Sequence, residues 1–456
     1  MKSALYHLLL AVSVATFSVD ASAANSTVEL ESPRLTALLK EVRAIKNQVL
    51  ENFWQEISKQ GTPLVESIPG EPDHVLLTFL WRGDEQTKNV VLFSVLTTRA
   101  NMDFSTEQLA RSQLTRLPRT DVWYRTFTIR HDARLSYYFS PNDPLLPASR
   151  RTTGKDWETL QPDPLNPNRF VLAHEDRDWV RSTVDLPGAT PVPWIVSRPG
   201  IRKGRTEMHR LPSTYLQNER RFWVYTPPGY SLAHEPYSLL VLFDGWTYAH
   251  MIPTSTILEN LLAADRMDPT IVVMVAQRDR GVELGCHEPF NEFLVRELIP
   301  WLRVHYHVSA NPTETIVGGA SRGGLAAVCA GWQHPDIFGN VLSQSGYFSW
   351  DPLEEEAVYK EELEFEWIIR QLAASPKVDV RLVLSVGTLE HDHDFPHSTS
   401  LLQANRHMRD VLLAKGYEFT YIEVAGGHDI YSNALALPAN LIAMANHIRA
   451  QKRAEH

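Results

Sequence analysis

The sequence predicts an α/β domain with a mostly parallel central sheet, preceded by a β-sandwich domain. Three observations predict it. After about residue 215, short apolar runs alternate with helical patterns; between His74 and Phe139 the chain is instead a series of β-rich runs; and 456 residues is long for one domain at roughly 150 residues each. A composition of 43% hydrophobic and 21% charged residues supports packed cores and excludes a chain that is mainly disordered. The balance of 44 Lys+Arg against 54 Asp+Glu, net −10, argues against a nucleic-acid or anionic-membrane binder. Twelve Trp and 29 Pro favour strands, turns and binding surfaces over a helical bundle.

In chain order, residues 1–23 have the form of a signal peptide: Lys2, an apolar stretch too short to span a bilayer, then Ala21-Ser22-Ala23 as a cleavage site. A soluble protein exported to the periplasm or beyond is expected, with no membrane insertion after cleavage. Residues 30–195 are expected to hold an N-terminal helix and the sandwich. Ser32-Pro33 marks the start of that helix, and Leu35, Leu38, Leu39, Val42, Ile45, Val49, Phe53 and Ile57 recur at helical spacing until Gly61. The runs VLLTFLW, NVVLFSVL, DVWYRTFTI and RLSYYF then predict strands of an immunoglobulin-like sandwich. The Pro-dense stretch through DPLLP, QPDPLNPNRF and LPGATPVPW predicts an irregular connector, and residues 196–214 a linker.

From 215 to 456, strands are expected at RRFWVYTP, YSLLVLFD, IVVMVA, TIVGG, NVLSQS, VRLVLSVG and FTYIEV. Helices are expected at Asn291–Arg303, Gly324–Trp332, Leu401–Lys415 and from about Pro438. Near-continuous apolar strands between helices imply a sheet covered on both faces, with ligands bound beyond the strands' carboxyl ends.

The chemistry falls at those ends. Thr315–Gly318 runs into Gly319-Ala320-Ser321-Arg322-Gly323 and then a helical pattern, the strand–turn–helix setting in which G-x-S-x-G marks a nucleophile elbow and an α/β-hydrolase domain. Ser321 is the candidate nucleophile. A serine needs a base held by a carboxylate, and in this fold the order is Ser, acid, His. His428, after Gly426-Gly427, is the candidate base, and Glu390 the candidate acid, with Asp392 as the alternative. The oxyanion hole would use the backbone N–H of Arg322 and that of Gly245 or Trp246, directly after the strand ending at Phe243. His391, Asp392, His393, Asp394 and His397 invite a metal reading. Metal-dependent lactonases use His-x-His-x-Asp-His, however, and here Phe395 stands at the Asp position with the last His one place late, so no metal is expected. The two cysteines, Cys286 and Cys329, are expected to be buried free thiols, able to pair in an oxidising compartment.

These residues resemble those of the enterochelin (enterobactin) esterases, which hydrolyse the trilactone of ferric catecholate siderophores. The resemblance rests on LFDGW, RGVELGCHEPFNEFLVRELIPWLR, GGASRGGLAAVCAGWQHPDIFGNVLSQSG and GGHD in the second half, and on VLLTFLWRG, TDVWYRTF, LSYYFSPND and DPLNP in the first. It implies Ser321, His428 and Glu390 in the roles given above, and Arg280 as the contact to anionic catecholates. A guanidinium is always charged and offers several donors to a ferric tris-catecholate of about three negative charges. Trp246 and Trp350 are candidates to stack on catechol rings. The partner implied is this small molecule; no cofactor is implied, because the iron arrives as part of the substrate. The sequence departs from the family at Arg322, where an aromatic is common, at Tyr431, near a usual Trp, and in joining a sandwich to an export signal. Alternative readings are a carbohydrate or feruloyl esterase of the same superfamily, and a ferric-siderophore binder without catalysis.

Overall fold

The computed structural model describes residues 31–44, 46–97, 104–151, 154–175, 178–353, 364–391 and 399–455. The segment read as a signal peptide, Asp392 and the histidines at 393 and 397 lie outside them. Two helices open the described chain, α1 (Pro33–Ala44) and α2 (Lys46–Gln60). The apolar spacing predicted one helix through Gly61. Instead Arg34 makes two hydrogen bonds to Glu56 at 3.0 and 2.7 Å, contacts that a straight helix, rising about 1.5 Å per residue, would hold some 30 Å apart. The helices lie side by side because each has an apolar stripe to bury. Leu35, Leu38 and Val42 meet Phe53, Trp54 and Ile57 over Leu80, Leu117 and Val122.

The sandwich follows. One sheet has the order β1 (Leu64–Ser67), β2 (His74–Arg82), β5 (Val122–Arg130), β4 (Thr115–Arg116), and the other β3 (Val90–Ser94), β6 (Arg134–Pro141), β8 (Trp179–Asp185), β7 (Arg169–Leu172). Every pairing is antiparallel. Between the sheets, Leu77, Phe79, Leu92, Leu135, Tyr137 and Phe139 form the core. A short helix, α3 (Thr106–Ser112), starts at a Ser105–Gln108 capping box. Strands β7 and β8 lie within the stretch expected to be irregular. Their hydrophobic alternation is interrupted by Arg and Ser, which masks the period that marks a strand.

The second domain has one eight-stranded sheet in the order β16 (Glu418–Val424), β15 (Arg381–Gly387), β14 (Asn340–Gln344), β13 (Thr315–Ala320), β11 (Ser238–Leu242), β12 (Thr270–Val275), β10 (Asn218–Thr226), β9 (Arg205–Ser213). The pairings from β12 to β16 are parallel, and β10 and β9 add on antiparallel. The expected linker therefore includes an edge strand of this sheet, β9. Its polar–apolar alternation, exposed on one side, hid it from a search for buried strands.

Helices α4 (Thr254–Ala263), α5 (Arg280–Glu283), α6 (Glu288–Glu292), α7 (Ile299–His305), α8 (Arg322–Gln333), α9 (Trp367–Ala374), α10 (Leu401–Ala414) and α11 (Ile430–Glu455) cover its two faces. One apolar cluster lies on each side of the sheet, divided by strand alternation: Leu239 and Val241 face one, Leu240 and Leu242 the other. Helix α11 starts eight residues before the expected Pro438, which lies inside it. Among the described residues no helix is long and apolar enough to cross a membrane. The fold is the expected α/β-hydrolase domain preceded by a β-sandwich.

Candidate active site

Strands β11 and β13 are parallel neighbours in the middle of the sheet, with Leu242 opposite Gly318. Both turns that follow them therefore emerge at the same carboxyl edge. After β13 the chain reverses at Ser321, whose φ of 59° and ψ of −122° place a non-glycine residue in a strained conformation. The turn needs its small residue: a Cβ at Gly319 would come within 2.7 Å of the carbonyl carbon of Gly323. Backbone bonds from Ser321 N to Gln344 O, 2.9 Å, and from Tyr347 N to Ser321 O, 3.0 Å, hold the elbow against the end of β14. The hydroxyl is presented at the N-terminus of α8, where the helix dipole favours negative charge.

The other two residues come from the loops after β15 and β16. His428 Nε2 lies 3.0 Å from Ser321 Oγ, and His428 Nδ1 lies 2.9 Å from Glu390 Oε2. The second oxygen of Glu390 accepts from Ser345 Oγ at 2.6 Å and from the Gly387 N–H at 2.7 Å. Its side chain is fully buried, while that of His428 remains 13% exposed. A buried carboxylate held by three donors is fixed in place and keeps the Nδ1 proton of the imidazole, leaving Nε2 to accept from the serine.

The Asp244–Trp246 turn lies beside the elbow. Asp244 has φ 56°, its N–H donates to Gln277 Oε1 at 3.0 Å, and its Oδ2 is 3.2 Å from where a Cβ on Gly323 would stand. Gly245 packs so closely on the end of β12 that a Cβ would meet Met274 O at 2.6 Å. The backbones of Gly245, Trp246 and Arg322 thus gather at one edge. The Arg322 side chain turns to Gly281 O, 3.2 Å, and lies over the Tyr347 ring.

A cleft of about 390 Å³ opens over Ser321 and His428, lined also by Arg181, Tyr248, Arg280 and Asp429. Arg280 is present, but as one half of an ion pair: Nε and Nη2 bond both oxygens of Asp244 at 2.7 and 2.8 Å. Glu283, a nearer acid in sequence, is instead paired with buried Arg220 at 2.9 and 2.5 Å. Tyr248 was not anticipated. It donates to Gln344 Oε1 at 2.9 Å, and burial, followed by the charge of Asp244, pushes its phenol up and keeps it a donor.

Neither expected aromatic platform lines this cleft. Trp246 donates through Nε1 to Ala173 O at 3.1 Å and packs on Trp223 and His250. Trp350 is 6% exposed, edge-on to Trp367 and against Gly285 in the core. Trp350 is buried by packing, and half-buried Trp246 is taken up by its neighbours on the far side of the turn. Cys286 and Cys329 are joined in a disulfide, with Cα atoms 5.5 Å apart, rather than kept as thiols. The loop after α5 brings Cys286 onto α8, a proximity that two cysteines 43 residues apart do not announce. Of the charged cluster at 391–397, only His391 is described, and it is exposed.

The sandwich reaches the base's loop directly. Asp429, next to the histidine, accepts from Ser136 N at 3.1 Å and Ser136 Oγ at 2.7 Å, and from Ser432 N at 2.6 Å. Arg134 N donates to Ala425 O at 2.8 Å, Tyr431 donates to Asp185 at 2.7 Å, and Val95 fills the space where Gly427 has no side chain.

This fold and site define a serine hydrolase of carboxylic esters. A "Putative esterase" family model matches residues 213–444, and an "Enterochelin esterase, N-terminal" model matches residues 76–195. The iron(III) enterobactin esterase of Dickeya dadantii is 30% identical over 414 residues, covering 83% of this chain and 89% of that one. The crystal structure of the ferric enterobactin esterase of Salmonella typhimurium superposes with a TM-score of 0.68 at 26% identity, covering 86% and 98%. That of the Shigella flexneri enterobactin esterase, obtained in the presence of enterobactin, does so at 0.64, with 26% identity and 86% and 97% covered. The chain belongs to the enterochelin esterase family.

Proposed function

We propose that this enzyme hydrolyses the ester bonds of ferric enterobactin-type catecholate siderophores and so releases their iron. One observation carries the chemistry: the 3.0 and 2.9 Å hydrogen bonds that link Ser321, His428 and Glu390 at the floor of an open cleft. The choice of siderophore is supported by the relatives and by the match of residues 76–195 to the enterochelin esterase N-terminal model. Ser321 Oγ attacks a trilactone carbonyl as His428 Nε2 takes its proton. The histidine returns that proton to the leaving serine hydroxyl, then activates water to free the acyl group. Glu390 holds the imidazolium. The N–H groups of Arg322 and of Gly245 or Trp246 receive the oxyanion, each donor being worth about 3 kcal/mol of barrier. No cofactor enters this route; the iron is cargo.

We infer that the work is done in the periplasm or outside the cell, a reading supported by the signal-like residues 1–23 and by the Cys286–Cys329 bond. Mass spectrometry of ferric enterobactin incubated with the enzyme is expected to show linear trimer, then dimer and monomer. Unchanged trilactone, with a simple ester still hydrolysed, would overturn the siderophore assignment.

A further inference from the structure

The family resemblance assigns recognition of substrate charge to Arg280, but the cleft distributes charge differently. Arg280 is held by both oxygens of Asp244, and its charge is balanced within the protein. Asp429, the other acid of the lining, is occupied by Ser136 and Ser432. Arg181 differs from all of these. It comes from β8 of the sandwich, lines the same cleft as Ser321 and His428, and rests its guanidinium 4.9 Å over the Tyr138 ring. Nη1 donates to Ser136 Oγ at 3.2 Å, and among the described residues no carboxylate lies within ion-pair distance. Its Nε is buried without a hydrogen-bond partner.

The part of the guanidinium that lines the cleft suits an anionic oxygen, since it is always charged and offers several donors. We propose that Arg181 is the specificity residue by which the sandwich domain reads negative charge on the substrate, taking an anionic oxygen of the catecholate while Ser321 attacks the ester. This deepens the siderophore reading and rests on it for the identity of the anion.

The test compares wild type, Arg181→Gln and Arg181→Lys on ferric enterobactin and on two small 4-nitrophenyl esters, the neutral butyrate and the anionic hemisuccinate. Loss of a charged hydrogen bond is expected to raise KM for ferric enterobactin about tenfold or more in Arg181→Gln, with partial recovery in Arg181→Lys. Butyrate turnover should stay within about twofold, because the triad is intact. The decline of wild-type kcat/KM between about 20 and about 500 mM NaCl should flatten in Arg181→Gln. An unchanged KM for the ferric complex, or equal losses on butyrate and ferric enterobactin, would overturn the proposal. If wild type leaves ferric enterobactin intact, the siderophore reading fails by itself. The hemisuccinate-to-butyrate ratio then decides for Arg181: a ratio that falls in Arg181→Gln upholds charge reading, and an unchanged ratio removes it.

Discussion

Ser321 is both the reactive residue and a strained one, and the two properties can be separated by substitution. Ser321→Ala keeps the Cβ and the strained backbone; ester turnover is expected to fall by about 10⁴-fold or more, with an unaltered melting temperature. Ser321→Gly should be equally inactive yet more stable by about 1 kcal/mol, since glycine occupies φ near +60° without a Cβ clash. Calorimetry that finds the glycine variant no more stable than the alanine variant would show that the elbow stores no strain. Glu390→Gln removes the charge that holds the imidazolium, and kcat is expected to drop by about 10³–10⁴ with KM little changed, as measured on any small ester. These three residues were legible in the sequence because each lies in a short local pattern after a strand. Arg181 was not, because its strand lies between proline-dense segments and its role depends on a fold-level approach to Ser321.

At the scale of elements, loops rather than helices decide the site. The loop before α5 is anchored through Glu283, which accepts from the Arg278 N–H at 3.2 Å and pairs with Arg220, 1% exposed. Glu283→Gln would leave the Arg220 charge buried without its counterion, at a cost of about 3 kcal/mol or more, readable as a shift in the urea midpoint. The loop of the base is pinned from the other domain. At Gly427 an added Cβ would meet Val95 Cβ at 2.6 Å, so Gly427→Ala is expected to move His428 and lower kcat about a hundredfold, a loss of the size that a 1 Å misplacement causes. Val95→Gly in the same chain should restore part of it, and kcat without any such recovery would mean that the clash is elsewhere. The pattern of apolar runs located β2, β3, β5, β6 and every parallel strand. Strands β7, β8 and β9 escaped it because polar side chains on an exposed or interfacial face break the hydrophobic period.

For the whole molecule, the disulfide ties the Arg280 loop to the nucleophile's helix across 43 residues. By loop entropy alone its removal is worth about 4 kcal/mol. The melting temperature under reductant, or of Cys329→Ala, should fall by several degrees, and an equal melt with and without reductant would remove this contribution.

The bonds from Ser136 to Asp429 have a further consequence in time. They join residues 293 apart in the chain, whereas the nucleophile and base are 107 apart. A chain still emerging from a ribosome can have its sandwich folded and its elbow formed, but it has no positioned base. Esterase activity is therefore the last property to appear during biogenesis, and its recovery on refolding should lag the return of tryptophan fluorescence, because it reports the moment at which the first domain closes on the loop made long after it.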